Sequence, residues 1–113
     1  MNWIVKNKIE TVTSHILTPY PGTAFYKSME KQGRITSTNL SKYNTAHVVF
    51  QPAQITPEKL YNGYIWFYKN IYSFRNIIAR TPKSKNQVLA YYAFNIFYRK
   101  FGYFGEVVSK YLK

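Results

Sequence analysis

Few side chains in this sequence are equipped for chemistry, and their scarcity bounds what the chain could do. It has two histidines, His15 and His47, four glutamates, no aspartate and no cysteine. Without cysteine there is no disulfide scaffold, no thiolate nucleophile and no Cys-based zinc site. His47 has no acidic neighbour in sequence, so a metal-ligand cluster is unsupported and both histidines read as structural. No residue qualifies as catalytic or as a metal ligand. Lys83 and Lys85 stand just ahead of an expected helix start. There they are either merely solvated or part of an anion site made with free backbone N–H groups. The most informative stretch is Thr18-Pro19-Tyr20-Pro21-Gly22-Thr23, a rigid elbow able to present backbone and a ring to a ligand.

The flanking elements must position that elbow. Thr11–Leu17 reads as a strand, rich in β-branched residues, and Pro19 and Pro21 cannot continue a ladder. Gly22 allows the turn, and Thr23 caps a helix running to Gln32 with Phe25, Met29 and Tyr26 toward its buried side; Gly33 stops it. Strand, elbow and helix together form the unit found at the mouth of an α/β barrel or open α/β sheet. Asn2–Lys8 looks like the tail of a helix, and Arg34–Thr45 like loop with a turn near Leu40–Tyr43. His47–Phe50 is a short β-type run closed by Pro52 and the one local candidate to pair with the strand.

Thr56-Pro57-Glu58 is a clear helix start, and the pattern predicts a helix to about Arg80. Leu60, Tyr64, Phe67, Ile71, Phe74 and Ile78 form one buried stripe, with Tyr61, Ile65, Tyr68 and Tyr72 beside it. The opposite line, Asn62, Trp66, Lys69, Ser73, Asn76 and Arg80, is polar except for Trp66, which marks a partner contact. After Thr81-Pro82 the pattern predicts a helix over Gln87–Phe101. Its Ala90, Ala93, Phe94, Phe97 and Phe101 lie on one side, with Asn95 and Arg99 off it. Gly102 and Gly105 then bracket a turn before a terminal helix over Glu106–Leu112. The fold class expected is mainly α with a minor β component (α+β): a short strand or hairpin plus a bundle of three to four helices.

Sixteen lysines and arginines against four glutamates give a net charge of +12, which invites nucleic acid, an anionic surface or an acidic partner. The basic residues are scattered instead of clustered, and no RNA- or DNA-binding signature appears. No run approaches the ~18 apolar residues of a membrane span, and a cytoplasmic protein is the expectation.

The string Leu17-Thr18-Pro19-Tyr20-Pro21-Gly22-Thr23 resembles the segment at the last barrel strand of cobalamin (B12)-binding radical S-adenosylmethionine (SAM) proteins. Three further pieces of that family follow in order: a small amphipathic helix, the stretch Ser41-Lys42-Tyr43 to His47-Val48-Val49-Phe50-Gln51-Pro52, and a long aromatic helix opened by Thr56-Pro57-Glu58-Lys59-Leu60. Together they cover roughly residues 1–80. The resemblance implies a C-terminal fragment, with residues 1–33 the last strand–helix unit of the barrel and 34–113 a helical extension of the DUF4070 type. It implies that Thr18 to Thr23 lie beside SAM or the substrate, with Tyr43 and His47 a weaker second set. It also implies a parent that uses a 4Fe-4S cluster, SAM and cobalamin. The cluster's three-cysteine loop is missing here, so the chain alone should hold no cofactor and perform no radical chemistry. Its partner would be the missing barrel and cobalamin domain, or a second copy of itself. The rival reading is a basic aromatic helical module that binds nucleic acid or an anionic surface.

Overall fold

Helix signals in the sequence translate directly into elements in a computed structural model of the chain, which describes residues 1–101. The described residues form α1 (Asn2–Lys6), α2 (Ala24–Lys31), a 3-10 turn (Leu40–Lys42), α3 (Pro57–Ile71), α4 (Phe74–Ala79) and α5 (Lys85–Phe101). The fold is mainly α, as expected. The terminal helix expected at Glu106–Leu112 and the glycines Gly102 and Gly105 lie outside the described residues. The β component is reduced, among the described residues, to one antiparallel bridge between Ile35 and Phe50. Thr11–Leu17 forms no strand: a strand needs a neighbouring backbone, and here the carbonyls of Val12 and Ser14 meet the hydroxyls of Tyr72 and Tyr68 instead. The His47–Phe50 run pairs with residues 34–36, not with residues 11–17: Thr36 N–H donates to Val49 O at 2.9 Å and Gln51 N–H to Arg34 O at 2.7 Å.

The chain divides into two units, one made of Met1–Ser14 together with Ile65 onward, the other of His15–Tyr64. In the second, Ile16, Thr18, Met29, Tyr43, Val49 and Phe50 are buried. Thr23 Oγ1 accepts from Tyr26 N–H at 3.1 Å, starting α2 as its type predicts. At its other end Gly33 takes φ +65°, and Arg34 N–H reaches back to Met29 O while Gly33 N–H reaches Glu30 O. That pair of bonds is a Schellman stop, which needs a residue tolerant of the left-handed region. Thr56 starts α3 by accepting from Lys59 N–H at 3.2 Å.

In the first unit, Ile71, Ile77, Tyr68, Tyr72 and Tyr91 make the core together with Arg80 and Asn95. The single helix expected to reach Arg80 is broken at Tyr72-Ser73. Ser73 Oγ donates to Asn70 O and accepts from Asn76 N–H, while Asn76 Nδ2 also donates to Asn70 O. Short polar side chains thus take the backbone groups that a continuous helix would pair internally. The break rotates α4 out of register, so Phe74 and Ile78, expected in the buried stripe, are exposed, whereas Ile77 is buried. α5 is inverted relative to the expectation: Tyr91 and Asn95 are buried, while Phe94, Phe97 and Phe101 are exposed.

Candidate functional site

The elbow sits in the His15–Tyr64 unit, and its two threonines explain its shape. Thr18 is buried and its hydroxyl donates to Ile16 O at 3.1 Å. Thr23 Oγ1 donates to Tyr20 O at 2.7 Å while accepting from the first turn of α2. Both hydroxyls are therefore committed to the elbow itself. Pro19 is fully buried beneath. Gly22 has φ +89°, a conformation a side chain would strain. What remains facing outward is Tyr20, 44% exposed, with Pro21 and the Gly22 backbone.

Of the weaker second set, the structure brings Tyr43 to the elbow, while His47 lies against Asn44 instead. The Tyr43 ring lies 6.5 Å from those of Tyr20 and Tyr26. It is fixed by its hydroxyl donating to Ser37 O at 2.6 Å, and burial pushes that hydroxyl's pKa up. His47 pairs through Nδ1 with Asn44 Oδ1 at 2.8 Å; burial, helped by the nearby Lys42 charge, holds its pKa below the ordinary histidine value. His15 pairs with Thr45 Oγ1 at 3.0 Å. The arrangement is an aromatic shelf behind a rigid turn, able to stack on a flat ligand and hold it against backbone. It contains no carboxylate–histidine or nucleophile–base pair of the kind acid–base or covalent catalysis requires.

Trp66, Lys83 and Lys85 belong to the other unit. Trp66 is 57% exposed and lines a shallow groove with Lys6, Asn70, Arg75 and Asn76. Lys83 borders a second groove with Lys6, Lys8 and Glu10, where Lys8 Nζ donates to Thr81 O. Lys85 is the exposed first residue of α5. The three do not converge on one point.

Sequence reasoning missed the most organised polar structure in the molecule. Arg80, assigned to a solvated face, is 0% exposed, as is Asn95. Its guanidinium donates to Ile9 O, Glu10 O, Ile71 O and Asn95 Oδ1 at 2.8–3.1 Å. Asn95 Nδ2 also donates to Glu10 O at 3.2 Å. Tyr72 OH donates to Val12 O at 2.6 Å, and Tyr68 OH donates to Ser14 O while accepting from Ser14 N–H. Burial, the largest cause, pushes the Tyr72 hydroxyl up to about 12. A signal existed in the spacing: tyrosines four apart on a helix stand ~6 Å apart, close to the ~6.7 Å between alternate residues of an extended chain.

For an iron–sulfur cluster the donor set does not fit. The chain has no cysteine, and no group of three or more His, Cys, Asp or Glu occurs among the described residues. No helix among them is long and apolar enough to cross a membrane.

Comparison with known proteins adds to this geometry. Residues 23–104 match the family described as a domain of unknown function, DUF4070. Over 79 residues, 70% of the chain, it is 32% identical to bacteriochlorophyllide d C-12(1)-methyltransferase of Chlorobaculum tepidum, covering 17% of that protein. Over 81 residues, 72% of the chain, it is 31% identical to bacteriochlorophyllide d C-8(2)-methyltransferase of the same organism, covering 18% of it. The chain thus spans less than one fifth of the length of these relatives. No solved structure matches.

Proposed function

The chain belongs to the DUF4070 family, and on that premise we propose that it is the C-terminal auxiliary part of a B12-binding radical SAM enzyme of the methyltransferase type. In this reading it packs against the barrel and helps enclose the SAM and substrate site without being competent alone. The observation that carries it is the likeness to two methyltransferases that are each more than five times as long as the matched stretch, together with the Thr18–Thr23 string.

Bound SAM would supply the radical or the methyl group; this chain's residues supply shape. With the hydroxyls of Thr18 and Thr23 consumed internally, the elbow offers the Tyr20 ring and the Gly22 backbone. Those groups orient a flat ligand and exclude water, and they neither give nor take a proton. The cluster ligands and the cobalamin contacts are contributed from outside the chain.

The test is a chimera in which the stretch of the C-12(1)-methyltransferase aligned to this chain is replaced by it. Methyl transfer above background is expected, and Tyr20→Ala in the chimera should raise KM for SAM roughly threefold to tenfold with little change in kcat, the size of one aromatic contact. A folded, cofactor-loaded chimera with no turnover would count against the reading. So would a stoichiometric cluster and SAM cleavage by the isolated chain after anaerobic reconstitution.

A further inference from the structure

Trp66 and Asn70 stand four residues apart and so share one face of α3. The break at Tyr72-Ser73 turns the chain there, and α4 brings Arg75 and Asn76 to the same groove, joined by Lys6 from α1. The corner is fixed, since Asn76 Nδ2 donates to Asn70 O at 2.8 Å and Asn70 Nδ2 donates to Trp66 O at 2.9 Å. With both amide nitrogens committed, the two amide oxygens are left to accept from a ligand. Neither Lys6 nor Arg75 has an ion-pair or hydrogen-bond partner among the described residues, and none of the described residues lining the groove is acidic. The groove holds about 630 Å³, the size of a cleft for a small ligand.

We infer that this groove binds a nucleotide: the exposed indole of Trp66 stacks on the base, and Lys6 and Arg75 take the phosphate. The inference goes beyond the auxiliary role and does not depend on it. An indole set among other apolar side chains would suit a protein surface. Here it is set among two uncompensated cations and two amides, which suits a ligand that joins a π face to a negative charge. A nucleotide carries both. Its phosphate matches the planar fork of Arg75, and N–H groups on the edge of its base can donate to the amide oxygens of Asn70 and Asn76. An uncharged ring would leave the cations unpaired, and inorganic phosphate would leave the indole uncovered. The other tryptophan, Trp3, is 68% exposed but lies outside the groove and serves as a control.

The experiment titrates the full chain with GMP, guanosine and ribose phosphate at ~50 mM salt, by calorimetry and by tryptophan fluorescence. The fluorescence is read in a Trp3→Phe background, where Trp66 is the remaining indole. GMP should bind one per chain and quench Trp66, with guanosine and ribose phosphate each roughly fivefold weaker or more. Trp66→Ala and Arg75→Ala should each weaken GMP about tenfold, the size of one stacked base or one charge-assisted hydrogen bond, and Trp66→Phe should recover most of the stacking. Both side chains are exposed, so these variants keep the fold. Lys69→Ala, which removes an exposed cation of α3 outside the groove, should change nothing. A single-stranded oligonucleotide that displaces GMP only at equal nucleotide concentration supports the site with a free nucleotide as its ligand. Displacement at ~100-fold lower concentration supports it with a strand as the source of base and phosphate. Equal losses from Lys69→Ala and Arg75→Ala, or GMP binding no tighter than ribose phosphate, would reduce the contact to surface charge and overturn the site. Trp66 fluorescence indifferent to GMP but quenched by the C-12(1)-methyltransferase lacking its aligned stretch would overturn it too, and would make Trp66 a contact within the larger enzyme. None of these results touches the auxiliary reading, which the chimera tests separately.

Discussion

Arg80 is a buried cation whose hydrogen bonds, among the described residues, all go to carbonyl oxygens. Those carbonyls solvate its charge, and they include Ile71 O at the end of α3, where the helix dipole is negative. The planar fork of five donors is what lets one side chain reach the carbonyls of Ile9, Glu10 and Ile71 together with the Asn95 amide oxygen. Arg80→Lys should therefore fail to rescue Arg80→Ala; both should lower stability by ~3 kcal/mol or more in urea titrations, since several buried acceptors lose their donor. Tyr72 gives a pH test. Its folded-state pKa of about 12 lies above the ordinary 10.0, so the unfolded chain loses this proton first. The stability it contributes is intact below pH 10 and lost as pH rises from there toward 12. Relative to Tyr72→Phe, the wild-type chain should lose stability more steeply across that window. The Phe variant should also be less stable at neutral pH by about 1 kcal/mol or more, with the Val12 carbonyl left unpaired.

Elements whose ends are written in local chemistry were legible. The Thr23 cap and Gly33 stop of α2, and the Thr56-Pro57 start of α3, rest on backbone groups within four residues of the signal. Elements defined by distant partners were not. Residues 11–14 could not be told from a strand, because the partners of Val12 and Ser14 are side chains 60 and 54 positions away. On α5 periodicity revealed two faces but not which one turns inward. The apolar line was the natural choice, yet Tyr91 and Asn95 are the buried pair because Tyr91 OH finds Ile77 O at 2.6 Å and Asn95 finds Arg80. A polar group fully satisfied in this way can be buried at little cost. The inversion predicts that Phe97→Ser or Leu89→Gln changes the stability of the isolated chain by no more than about 0.5 kcal/mol. Tyr91→Ala should cost ~3 kcal/mol. Thermal or urea unfolding of the three variants distinguishes the two orientations of the helix.

Across the whole molecule, charge and apolar exposure point the same way. Between Glu58 and Glu106 the sequence contains no acidic residue, and Phe74, Ile78, Leu89 (83% exposed), Ile96 and Phe97 are left uncovered in that span. Such a surface is normally covered in a working assembly. The family could be read from a seven-residue string and the order of four pieces, whereas the surface that meets the rest of an enzyme depends on residues the chain does not contain. The net charge of +12 predicts weak, sequence-independent binding to DNA or RNA that falls steeply with salt, because scattered lysines offer only phosphate contacts. Titrations at ~50 and ~200 mM salt should show it fading; a sequence-selective complex that persists at the higher salt would favour the nucleic-acid module instead.

The side-chain hydrogen bonds to residues 9–14 also fix a timetable. A ribosome delivers residues 9–14 first and the donors that hold them, Tyr68, Tyr72, Arg80 and Asn95, only 54 to 85 residues later. Until then the segment lacks those donors, and the loop that must close around it is among the longest the chain can make. The stretch leading into the elbow is thus synthesised well before its partners and, on this geometry, is secured only when they arrive. Nascent chains arrested before Tyr68 should be cut by protease within residues 9–14, and chains released after Asn95 should resist.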